Sequence, residues 1–393
     1  MKAIRMKAYC LCLASTVAIV GCTDEFAPDS ASTVPDYSRF LRNSDGSYSC
    51  TPTNRGQDVE ADVIAMRNIA QVVSPNESDY FEASFDGGHR FVYVPAGPFV
   101  MGTENWGTDE SPSHTVKLSG YWVGKNFVTN DQFKTFVDET GYVTDAEKPG
   151  AEGCYVFVKH SLRPGGDWTP TPGRNWRNPF IDHPTDSFYR DFDNLGDHPV
   201  GCVSWYDAEA YSDWLSEKIG LNIALPTEAQ WEKAARGDDG RAWPWGNEPP
   251  DAIRSNFADA AFDSAYEQPN QGEPDNSVDD GWSATSPIGA FPAGASPYGV
   301  MDMGGNTTAW VYDVPRQYSN GPINDPIGEG PQADRTDREM RGGFWISSRG
   351  TLTPSQSEID IKHTTRSDLR AQDDPRSSDD HLGFRVAIDY CDR

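Results

Sequence analysis

The strongest constraint on the fold of this chain is a repeated pattern of short, separately capped helices. Each begins at a hydroxyl-bearing residue followed three positions later by Gln or Asp, the spacing of a capping box, and each ends at a glycine. The three sets are Thr129, Gln132 and Gly141; Ser204, Asp207 and Gly220; and Thr227, Gln230 and Gly237. Apolar residues at helical spacing lie between these caps. The sequence therefore predicts three short helices, and we expect their aromatic residues to belong to the core.

The segments around these helices either alternate as short strands or show no periodicity. Strands are predicted at 91–95, at 97–102 and within 116–128, and an amphipathic helix at 58–73. Two stretches, 150–200 and 243–298, are long and irregular. Loops of this length inside a compact domain are usually functional or held by a metal.

The first 21 residues are predicted to be a signal peptide. Lys2, Arg5 and Lys7 precede an apolar run of about 13 residues, which is too short to span a bilayer as a stable helix. The run ends at Val20-Gly21-Cys22 and resembles a bacterial lipobox. Cys22 is therefore the predicted lipidation site, and an ordinary secretory signal is the alternative.

The residues after Cys22 predict where the protein is held. Thr23, rather than Asp, favours outer-membrane sorting in a Gram-negative cell. Residues 22–58 are rich in Ser, Asp, Pro and Asn and are predicted to be a tether, and 59–84 a short helical lead-in. We expect a protein of the cell envelope that faces the periplasm or the cell exterior.

The chain is strongly acidic, with a formal net charge of −27 at pH 7. Such a surface repels nucleic acid and anionic lipid. No nucleic-acid partner is expected, and the membrane is expected to be contacted through the lipid anchor only. Acidic clusters can also bind calcium.

Four of the seven cysteines remain once the signal is removed and Cys22 carries the lipid. An even number in an oxidising compartment predicts disulfides, and four cysteines allow three pairings. We favour Cys154–Cys202, which flanks a long insertion, and Cys50–Cys391, which ties the two ends together.

Nine fragments of the sequence resemble the formylglycine-generating enzyme family, also called sulfatase-modifying factor domains, and occur in the order of that family. They are VPAGPFVMG (94–102), DESPSHTVKL (109–118), VTNDQF (128–133), HPVGCVSWYDAEAY (198–211), LPTEAQWEKAARG (225–237), PWGN (244–247), YGVMDMGGN (298–306), RGGFW (341–345) and GFR (383–385). The domain is accordingly predicted at 85–391. The resemblance implies an α+β fold related to C-type lectins, with short strands, few helices and much irregular loop.

The activity that this resemblance implies is the oxidation of a sulfatase cysteine to formylglycine with copper and oxygen. Copper(I) is bound there by two cysteine thiolates, the soft ligands it prefers, which follow the RGG segment five residues apart. On this chain those positions are Ser347 and Leu352, and no cysteine lies between Cys202 and Cys391. A hydroxyl and an aliphatic side chain do not replace thiolates, so copper is not expected.

Other catalytic chemistry has less support in the sequence. The iron-dependent sulfoxide synthases of the family use a histidine triad, supplied largely by a separate helical domain that is not recognised here. The histidines are scattered without HxxxH or HxxE spacing: His114, His183, His198, His363 and His381. A serine nucleophile, Ser347 or Ser348 with His363, lacks a nucleophile-elbow motif and an identifiable third member.

Calcium is the metal with most support. The resemblance implies one site made by the Asn256 side chain, the Phe257 carbonyl, the Asp280 carboxylate and the Trp282 carbonyl. Calcium prefers such mixed oxygen donors. A solvated Asx turn is the alternative.

A second calcium site is implied at Asp302 with the carbonyls of Gly305 and Thr307. Ala309 stands where the family usually has glutamate. The second site therefore lacks one charged ligand and is the weaker prediction.

The segment Arg341–Arg385 is expected to form the floor of a cleft, with Arg385 bracing strands. The cleft candidates are Ser347, Ser348, His363, Arg366, Trp310 and Trp345, the two tryptophans as its walls. We predict a protein or peptide ligand in this cleft and a binding or scaffolding role without catalysis. A divergent formylglycine-generating oxidase, or another metal-dependent oxidase, is the alternative, so the question of an enzyme stays open.

Overall fold

The computed structural model describes Met66, residues 71–73 and residues 80–388 apart from 105–108, 159–166, 181–187, 267–273, 328–336 and 348–364. The predicted signal, the tether, Cys22 and the Cys50–Cys391 pair lie outside the described residues. Within the described ranges, no helix is both long enough and apolar enough to cross a membrane.

The described residues form short strands in four small sheets. The strands are β1 (Gln71–Val73), β2 (Glu82–Ser84), β3 (Arg90–Val94), β4 (Gly97–Met101), β5 (His114–Leu118), β6 (Tyr121–Gly124), β7 (Cys154–Val158), β8 (Asp167–Thr171), β9 (Ile223–Ala224), β10 (Thr308–Trp310), β11 (Ile323–Asn324), β12 (Arg338–Arg341), β13 (Arg370–Asp373), β14 (Leu382–Phe384) and β15 (Ala387–Ile388). Their order is β1-β2-β3-β6-β15-β9, β13-β12-β10-β14, β11-β5-β4 and β7-β8. The β10–β14 and β11–β5 pairs are parallel.

The three predicted capped helices are confirmed. They are α1 (Asn130–Thr140), α2 (Trp205–Ile219) and α3 (Glu228–Arg236). Each has the complete capping box, and each ends at the predicted glycine. Gly141 and Gly220 adopt left-handed φ values of 68° and 72°, a conformation that glycine takes without a Cβ penalty.

Three local features differ from the sequence predictions. Gln71–Val73, expected to end a helix, is a strand that pairs antiparallel with β2. The stretch after 243 contains a further short helix, α4 (Ala260–Tyr266), in which the N–H groups of Ala261 and Phe262 donate to the Asp259 side chain. The irregular region 150–200 contains the β7–β8 hairpin. In the first case sheet pairing overrides a helical apolar pattern, as tertiary context often does.

The core has two aromatic clusters. The larger one packs α1, α2 and α3 against the sheets and includes Phe133, Tyr211, Trp231 and Phe384. The smaller one lies under the β7–β8 hairpin and includes Phe157. This arrangement confirms the α+β architecture with few helices and short strands.

Arg385 braces the strands, as predicted. Its guanidinium is buried and donates to the carbonyl oxygens of Gly124 at 2.9 Å and Met301 at 2.8 Å. It also stacks 4.4 Å from the centroid of the Phe127 ring.

Candidate functional site

The segment Arg341–Arg385 folds back on itself around β10. β12 pairs with one side of β10 and β14 with the other. Gly342 and Gly343 have φ values of 107° and 68°, which turn the chain away after β12. A Cβ at Gly342 would lie 3.0 Å from the Trp231 ring, so this turn also needs a glycine for space. Phe344, after the glycine pair, thereby meets His381, which immediately precedes β14.

Ser347 is a buried turn residue. Its Oγ accepts a hydrogen bond from the Phe344 N–H at 2.9 Å, its own N–H donates to the Phe344 carbonyl at 2.8 Å, and its carbonyl accepts from Ala258 at 3.0 Å. The hydroxyl therefore holds the turn. Ser348, Leu352 and His363 lie outside the described residues.

The two tryptophans expected to wall the cleft are buried in the core. Trp310 is fully buried in β10, and its Nε1 donates to the Val203 carbonyl at 3.1 Å. Trp345 is 1% exposed and packs on Phe157 and Tyr266 in the smaller aromatic cluster. Burial of these large apolar rings stabilises the fold. Neither ring is therefore exposed to a ligand, as a cleft wall would require.

Arg366 is buried as well, instead of lining a groove. Its Nε donates to Asp368 at 2.9 Å, and one terminal nitrogen lies 3.6 Å from the Glu110 carboxylate. The neighbouring Ser367 is fully buried, and its N–H donates to the Ala242 carbonyl. A buried charge needs such partners, so this arginine has a structural role.

A cavity of about 470 Å³ opens instead where the two ends of the segment meet. Its size is typical of ligand pockets. The β7–β8 hairpin, β10, β12, β13 and the turn before β14 all contribute residues. They are Tyr155, Trp168, Thr308, Met340, Phe344, Ala371, Asp373, Ser377, Asp379 and His381. We call this space the Phe344 cavity.

One side of the Phe344 cavity is an aromatic wall made of Trp168, Phe344 and His381. The ring centroids of Phe344 and His381 are 4.2 Å apart, those of Trp168 and His381 5.0 Å, and those of Trp168 and Phe344 5.7 Å. Such distances are typical of tilted and edge-to-face aromatic pairs. Each ring is therefore fixed by the other two.

Asp380 fastens the hairpin to this wall. Its Oδ2 accepts from the Phe157 N–H at 2.7 Å, and its Oδ1 accepts from the Trp168 Nε1 at 3.2 Å. The Oδ1 also lies 3.4 Å from the His381 Nδ1. One carboxylate thus orients two of the three wall rings.

The predicted Cys154–Cys202 disulfide is confirmed, and it supports the same wall. Tyr155, next to Cys154, donates its N–H to the Ser378 carbonyl at 2.7 Å, and Cys202 donates its N–H to the Asp379 carbonyl at 2.8 Å. The disulfide therefore joins two chain segments that both hold the turn before β14.

The lining of the Phe344 cavity is acidic. Asp373 and Asp379 contribute carboxyl groups, and the lining residues include neither Lys nor Arg among the described positions. Burial raises the pKa of Asp379 to about 7, an effect that the nearby His381 opposes and that Asp373 and Asp380 reinforce. The cavity thus carries a carboxyl group for which the charged form is costly without a partner.

A second cavity, of about 590 Å³, shares Tyr155 and Ser377 with the first. Its charged residues have both signs: Asp145, Lys148, Glu152, Asp374 and Arg376. Lys148 forms an ion pair with Asp145. We call this the Lys148 cavity. The two cavities adjoin at Tyr155 and Ser377, and we refer to them together as the groove.

The residues of the first implied calcium site come together. Asn256 is buried; its Nδ2 donates to the Ala284 carbonyl at 2.7 Å, and its Oδ1 has no hydrogen-bond partner. Asp280 accepts from the Phe257 N–H at 3.2 Å and the Trp282 N–H at 2.8 Å. A buried amide oxygen without a donor is costly, and a hard cation is one way to satisfy it.

A second carboxylate lies beside Asp280. Asp259 accepts a short hydrogen bond from the Asp280 N–H, and burial together with Asp259 raises the pKa of Asp280 to about 8. No group of three or more His, Cys, Asp or Glu side chains suited to a metal occurs in the described ranges. A site here would combine two carboxylates with the Asn256 oxygen and backbone carbonyls. These donors fit calcium.

The residues of the second implied calcium site do not fit. Asp302 accepts from the Gly289 N–H at 2.8 Å, and the Gly305 carbonyl accepts from the Thr307 N–H at 2.9 Å. Ala309, inside β10, contributes no side-chain oxygen. The acidic ligand at this position is missing, and Asp302 and the Gly305 carbonyl already accept hydrogen bonds from the backbone.

The described histidines form no cluster. His114 is buried against Tyr318, and His198 is buried with its Nδ1 3.0 Å from the Thr285 hydroxyl. Burial lowers the pKa of His198 to about 4, so this imidazole is neutral at pH 7. Only His381 lines either groove cavity in the described part of the chain, and His183 and His363 lie outside it.

Most of the cavity is not predicted by the sequence patterns. Trp168 stands in a stretch without periodicity, and His381 is one of several histidines scattered along the sequence. The RGGFW and GFR fragments, one containing Phe344 and the other following His381, were the available indication. The RGGFW and GFR fragments meet because β10 pairs in parallel with β14. No local sequence pattern predicts such a pairing.

Comparison with known proteins places the chain in a family. The family model described as "Sulfatase-modifying factor enzyme 1-like domain" matches residues 79–390. The formylglycine-generating enzyme of Streptomyces coelicolor is 32% identical over 318 residues, which is 76% of this chain and 88% of that protein. The inactive C-alpha-formylglycine-generating enzyme 2 of Mus musculus is 31% identical over 308 residues, 75% of this chain and 84% of that protein.

A solved structure agrees on the fold. The structure of PvdO from Pseudomonas aeruginosa superposes with a TM-score of 0.53 at 23% identity, over 81% of this chain and 98% of that one. From the family match and from relatives above 30% identity along most of their length, we conclude that this chain belongs to the sulfatase-modifying factor enzyme 1-like domain family.

Proposed function

We propose that this protein is a lipid-anchored, extracytoplasmic member of the family that binds a peptide or protein segment without catalysing its oxidation. The observation that carries the proposal is the absence of cysteine between Cys202 and Cys391. Linear copper(I) coordination needs soft thiolate ligands. Ser347, at one of the two positions, has its hydroxyl engaged in a turn.

The groove supports the binding role. The Phe344 cavity and the Lys148 cavity share Tyr155 and Ser377, so an extended ligand can occupy both. The aromatic wall is held by Asp380 and by the disulfide-linked segments. A wall fixed in advance reduces the ordering cost of binding.

The anchor and the location rest on the N-terminal sequence. The lipobox-like Val20-Gly21-Cys22 supports lipidation at Cys22, and Thr23 favours the outer membrane of a Gram-negative cell. The Cys154–Cys202 disulfide supports an oxidising compartment such as the periplasm or the cell exterior. Replacing Cys22 by Ala should release the protein from the membrane fraction, and retention there would contradict the anchor.

A bound calcium is also part of the proposal. Asn256 and Asp280, with the carbonyls of Phe257 and Trp282, would hold it, and the orphaned Asn256 Oδ1 supports this assignment. Its role would be to fix the long loop that follows α3. Copper has no suitable donor set in the cysteine-free segment.

Catalysis is tested by incubating the full, detergent-solubilised chain with copper(I), oxygen and a sulfatase-motif peptide. We expect mass spectrometry to show unchanged peptide, whereas the formylglycine-generating enzyme of Streptomyces coelicolor serves as the positive control. Formylglycine above the level of a protein-free blank would overturn the proposal. That result would favour the alternative, a divergent formylglycine-generating or other metal-dependent oxidase.

Binding is tested by filling the Phe344 cavity. Ala371 is an exposed residue of β13 that lines it, and Gln372 is the next residue, exposed but outside the lining. Because successive strand side chains point to opposite faces, Gln372→Trp is a matched control for Ala371→Trp. We expect the immobilised protein to retain members of a random nonapeptide library. Ala371→Trp should lose this retention and Gln372→Trp should keep it. Equal retention by both variants would exclude this cavity as the binding site.

A further inference from the structure

The Lys148 cavity has carboxylates that the protein already engages and donors that it does not. Each of the three carboxylates in its lining accepts a hydrogen bond from within the protein. The pairs are the Ser204 hydroxyl with Asp145 at 2.7 Å, the Tyr155 hydroxyl with Glu152 at 2.9 Å, and the Arg376 N–H with Asp374 at 2.8 Å. The unused hydrogen-bonding capacity of the lining is therefore mainly that of its donors.

The first unused donor is the guanidinium of Arg376. This exposed residue lines the cavity, and it has no carboxylate partner for its side chain among the described residues. The guanidinium lies over the Tyr206 ring, 5.5 Å from the ring centroid. Stacking of this kind uses the face of the group and leaves the N–H fork at its edge available, and that fork matches the two oxygens of a carboxylate.

The second unused donor is the hydroxyl of Ser378, two residues further along the chain. Ser378 lines the same cavity and is 2% exposed, and its Oγ has no hydrogen-bond partner. A buried hydroxyl without a partner costs free energy. A ligand oxygen held beside Arg376 would supply the missing acceptor.

A second arginine adds positive charge next to the cavity. Arg338 lies 3.8 Å from the centroid of the Trp205 ring, and its side chain, like that of Arg376, has no carboxylate partner within the described ranges. The rings of Trp205 and Tyr206 are 5.5 Å apart. Two unpaired guanidinium groups thus occupy neighbouring rings on a chain whose formal net charge is −27.

The turn that carries Arg376 and Ser378 is fixed by the backbone around it. The Trp205 N–H donates to the Pro375 carbonyl at 3.0 Å, and the Tyr155 N–H donates to the Ser378 carbonyl at 2.7 Å. The donors are therefore positioned before a ligand arrives, which lowers the ordering cost of binding.

We propose that the Lys148 cavity is the subsite for one carboxylate of the peptide ligand, held by the Arg376 guanidinium and the Ser378 hydroxyl. This inference rests on the proposed peptide-binding function and adds the chemistry of the group that is recognised. An acidic side chain and a C-terminal carboxylate carry the same group, and the test distinguishes these two sources.

The overall charge of the protein acts against this preference. A chain with a net charge of −27 repels anions at long range. Non-specific electrostatic attraction would therefore favour a neutral peptide over an acidic one. Preferential retention of the acidic peptide requires local donors.

The probes are three pools of random nonapeptides without other charged residues. The first has glutamate at its centre and both termini blocked, and the second has glutamine there and is otherwise the same. The third has glutamine at its centre and a free C-terminal carboxylate. The full, detergent-solubilised chain is immobilised, and retained peptides are quantified by mass spectrometry at physiological salt.

We expect at least one carboxylate pool to be retained about tenfold more than the blocked glutamine pool, equivalent to about 1.4 kcal/mol. Preference for the first pool identifies a side-chain carboxylate, and preference for the third identifies the C-terminus. Arg376→Gln should abolish the preference. Ser378→Ala should reduce it severalfold without lowering the free energy of unfolding, because this hydroxyl has no partner in the unliganded protein.

Arg177 provides the matched control for the loss of a stacked arginine. It is exposed, lies 4.1 Å from the centroid of the Trp176 ring and pairs with Glu147, and it is not part of the cavity lining. Arg177→Gln removes the same charge and should keep the preference. Equal losses in Arg177→Gln and Arg376→Gln would show a general charge effect and refute the subsite. Near-UV circular dichroism verifies that each variant is folded.

The outcomes separate this inference from the proposed function. Equal retention of all three pools would overturn the carboxylate subsite and leave peptide binding intact. Retention of none of them would overturn both.

Discussion

The imidazole of His381 lies against the phenyl ring of Phe344, with centroids 4.2 Å apart and planes inclined by 34°. The two residues belong to opposite ends of the segment Arg341–Arg385. Their contact depends on β12 and β14 flanking β10. It also depends on Gly383, because a Cβ there would be 2.4 Å from the Val200 carbonyl oxygen. The motif glycines thus allow the backbone approach that makes the cavity.

The first prediction concerns a buried ion pair beneath the glycine pair. Arg341 and Glu232 are fully buried and in contact, and Arg341 also donates to the Leu369 carbonyl at 2.9 Å. Arg341→Met leaves Glu232 with less compensation. We expect a loss of about 3–5 kcal/mol in the free energy of unfolding, measured by chemical denaturation.

The control for this change is an exposed ion pair. Lys134 contacts Asp138 one turn along α1, and both side chains are about half exposed. Lys134→Met should change the free energy of unfolding by less than about 0.5 kcal/mol. Similar losses in the free energy of unfolding at both sites would show that the buried ion pair contributes no more to stability than the exposed one.

Much of the fold could be predicted from the sequence because its determinants are local. A capping box such as Thr129 with Gln132 specifies a helix start through hydrogen bonds within one turn, and Gly141 specifies its end. The Cys154–Cys202 disulfide could also be favoured over the other pairings, because the two cysteines lie on either side of one insertion.

The cavity could be predicted only in part because its determinants are not local. The resemblance to the family predicts a cleft lined by Ser347, Trp310 and Trp345, but a motif gives position along the chain and not burial. The structure places all three in the interior. Trp168 reaches the wall through the β7–β8 hairpin and a hydrogen bond to Asp380, and neither follows from its own neighbours in sequence.

The second prediction concerns the disulfide. Cys154 and Cys202 are 48 residues apart in sequence, and a loop of this length corresponds to about 4 kcal/mol in the chain-entropy description. The double variant Cys154→Ser with Cys202→Ser should lose up to that amount in the free energy of unfolding. It should also retain less peptide, because Tyr155 follows Cys154 directly. Reduction of the unmodified protein should reproduce the stability loss, and an unchanged denaturation midpoint after reduction would refute the prediction.

The third prediction concerns Ser347. Ser347→Ala removes the acceptor of the buried Phe344 N–H, and an unsatisfied buried donor costs about 1–3 kcal/mol. We expect a stability loss of this size in chemical denaturation. Ser264→Ala, on an exposed position of α4, is the control and should stay within about 0.5 kcal/mol. A neutral Ser347→Ala would mean that the hydroxyl does not hold the turn.

The fourth prediction concerns calcium removal. At a hundred times its dissociation constant, a ligand that binds only the folded state adds about 2.7 kcal/mol to the free energy of unfolding. Calcium should therefore raise the melting temperature of EDTA-treated protein by several degrees. Asn256→Ala and Asp280→Asn should abolish this increase.

Asp279 provides the matched control for the calcium prediction. It is exposed and directly precedes Asp280. Asp279→Asn should keep the response to calcium. If the melting temperature of the unmodified protein is the same with EDTA and with calcium, the site does not bind calcium under those conditions.

The last prediction is that titration of Asp379 lowers the stability of the folded protein as the pH rises. Burial raises the pKa of Asp379 to about 7, with Asp373 and Asp380 acting in the same direction and His381 against it. A carboxyl group with a raised pKa in the folded state stabilises the protein fully below its unfolded pKa, and that contribution is lost as the pH rises towards about 7. Asp379→Asn removes the titration, so the variant should gain in stability relative to the unmodified protein between pH 5 and pH 8 in chemical denaturation. A variant that keeps the full pH dependence of stability would show that Asp379 is not the titrating group.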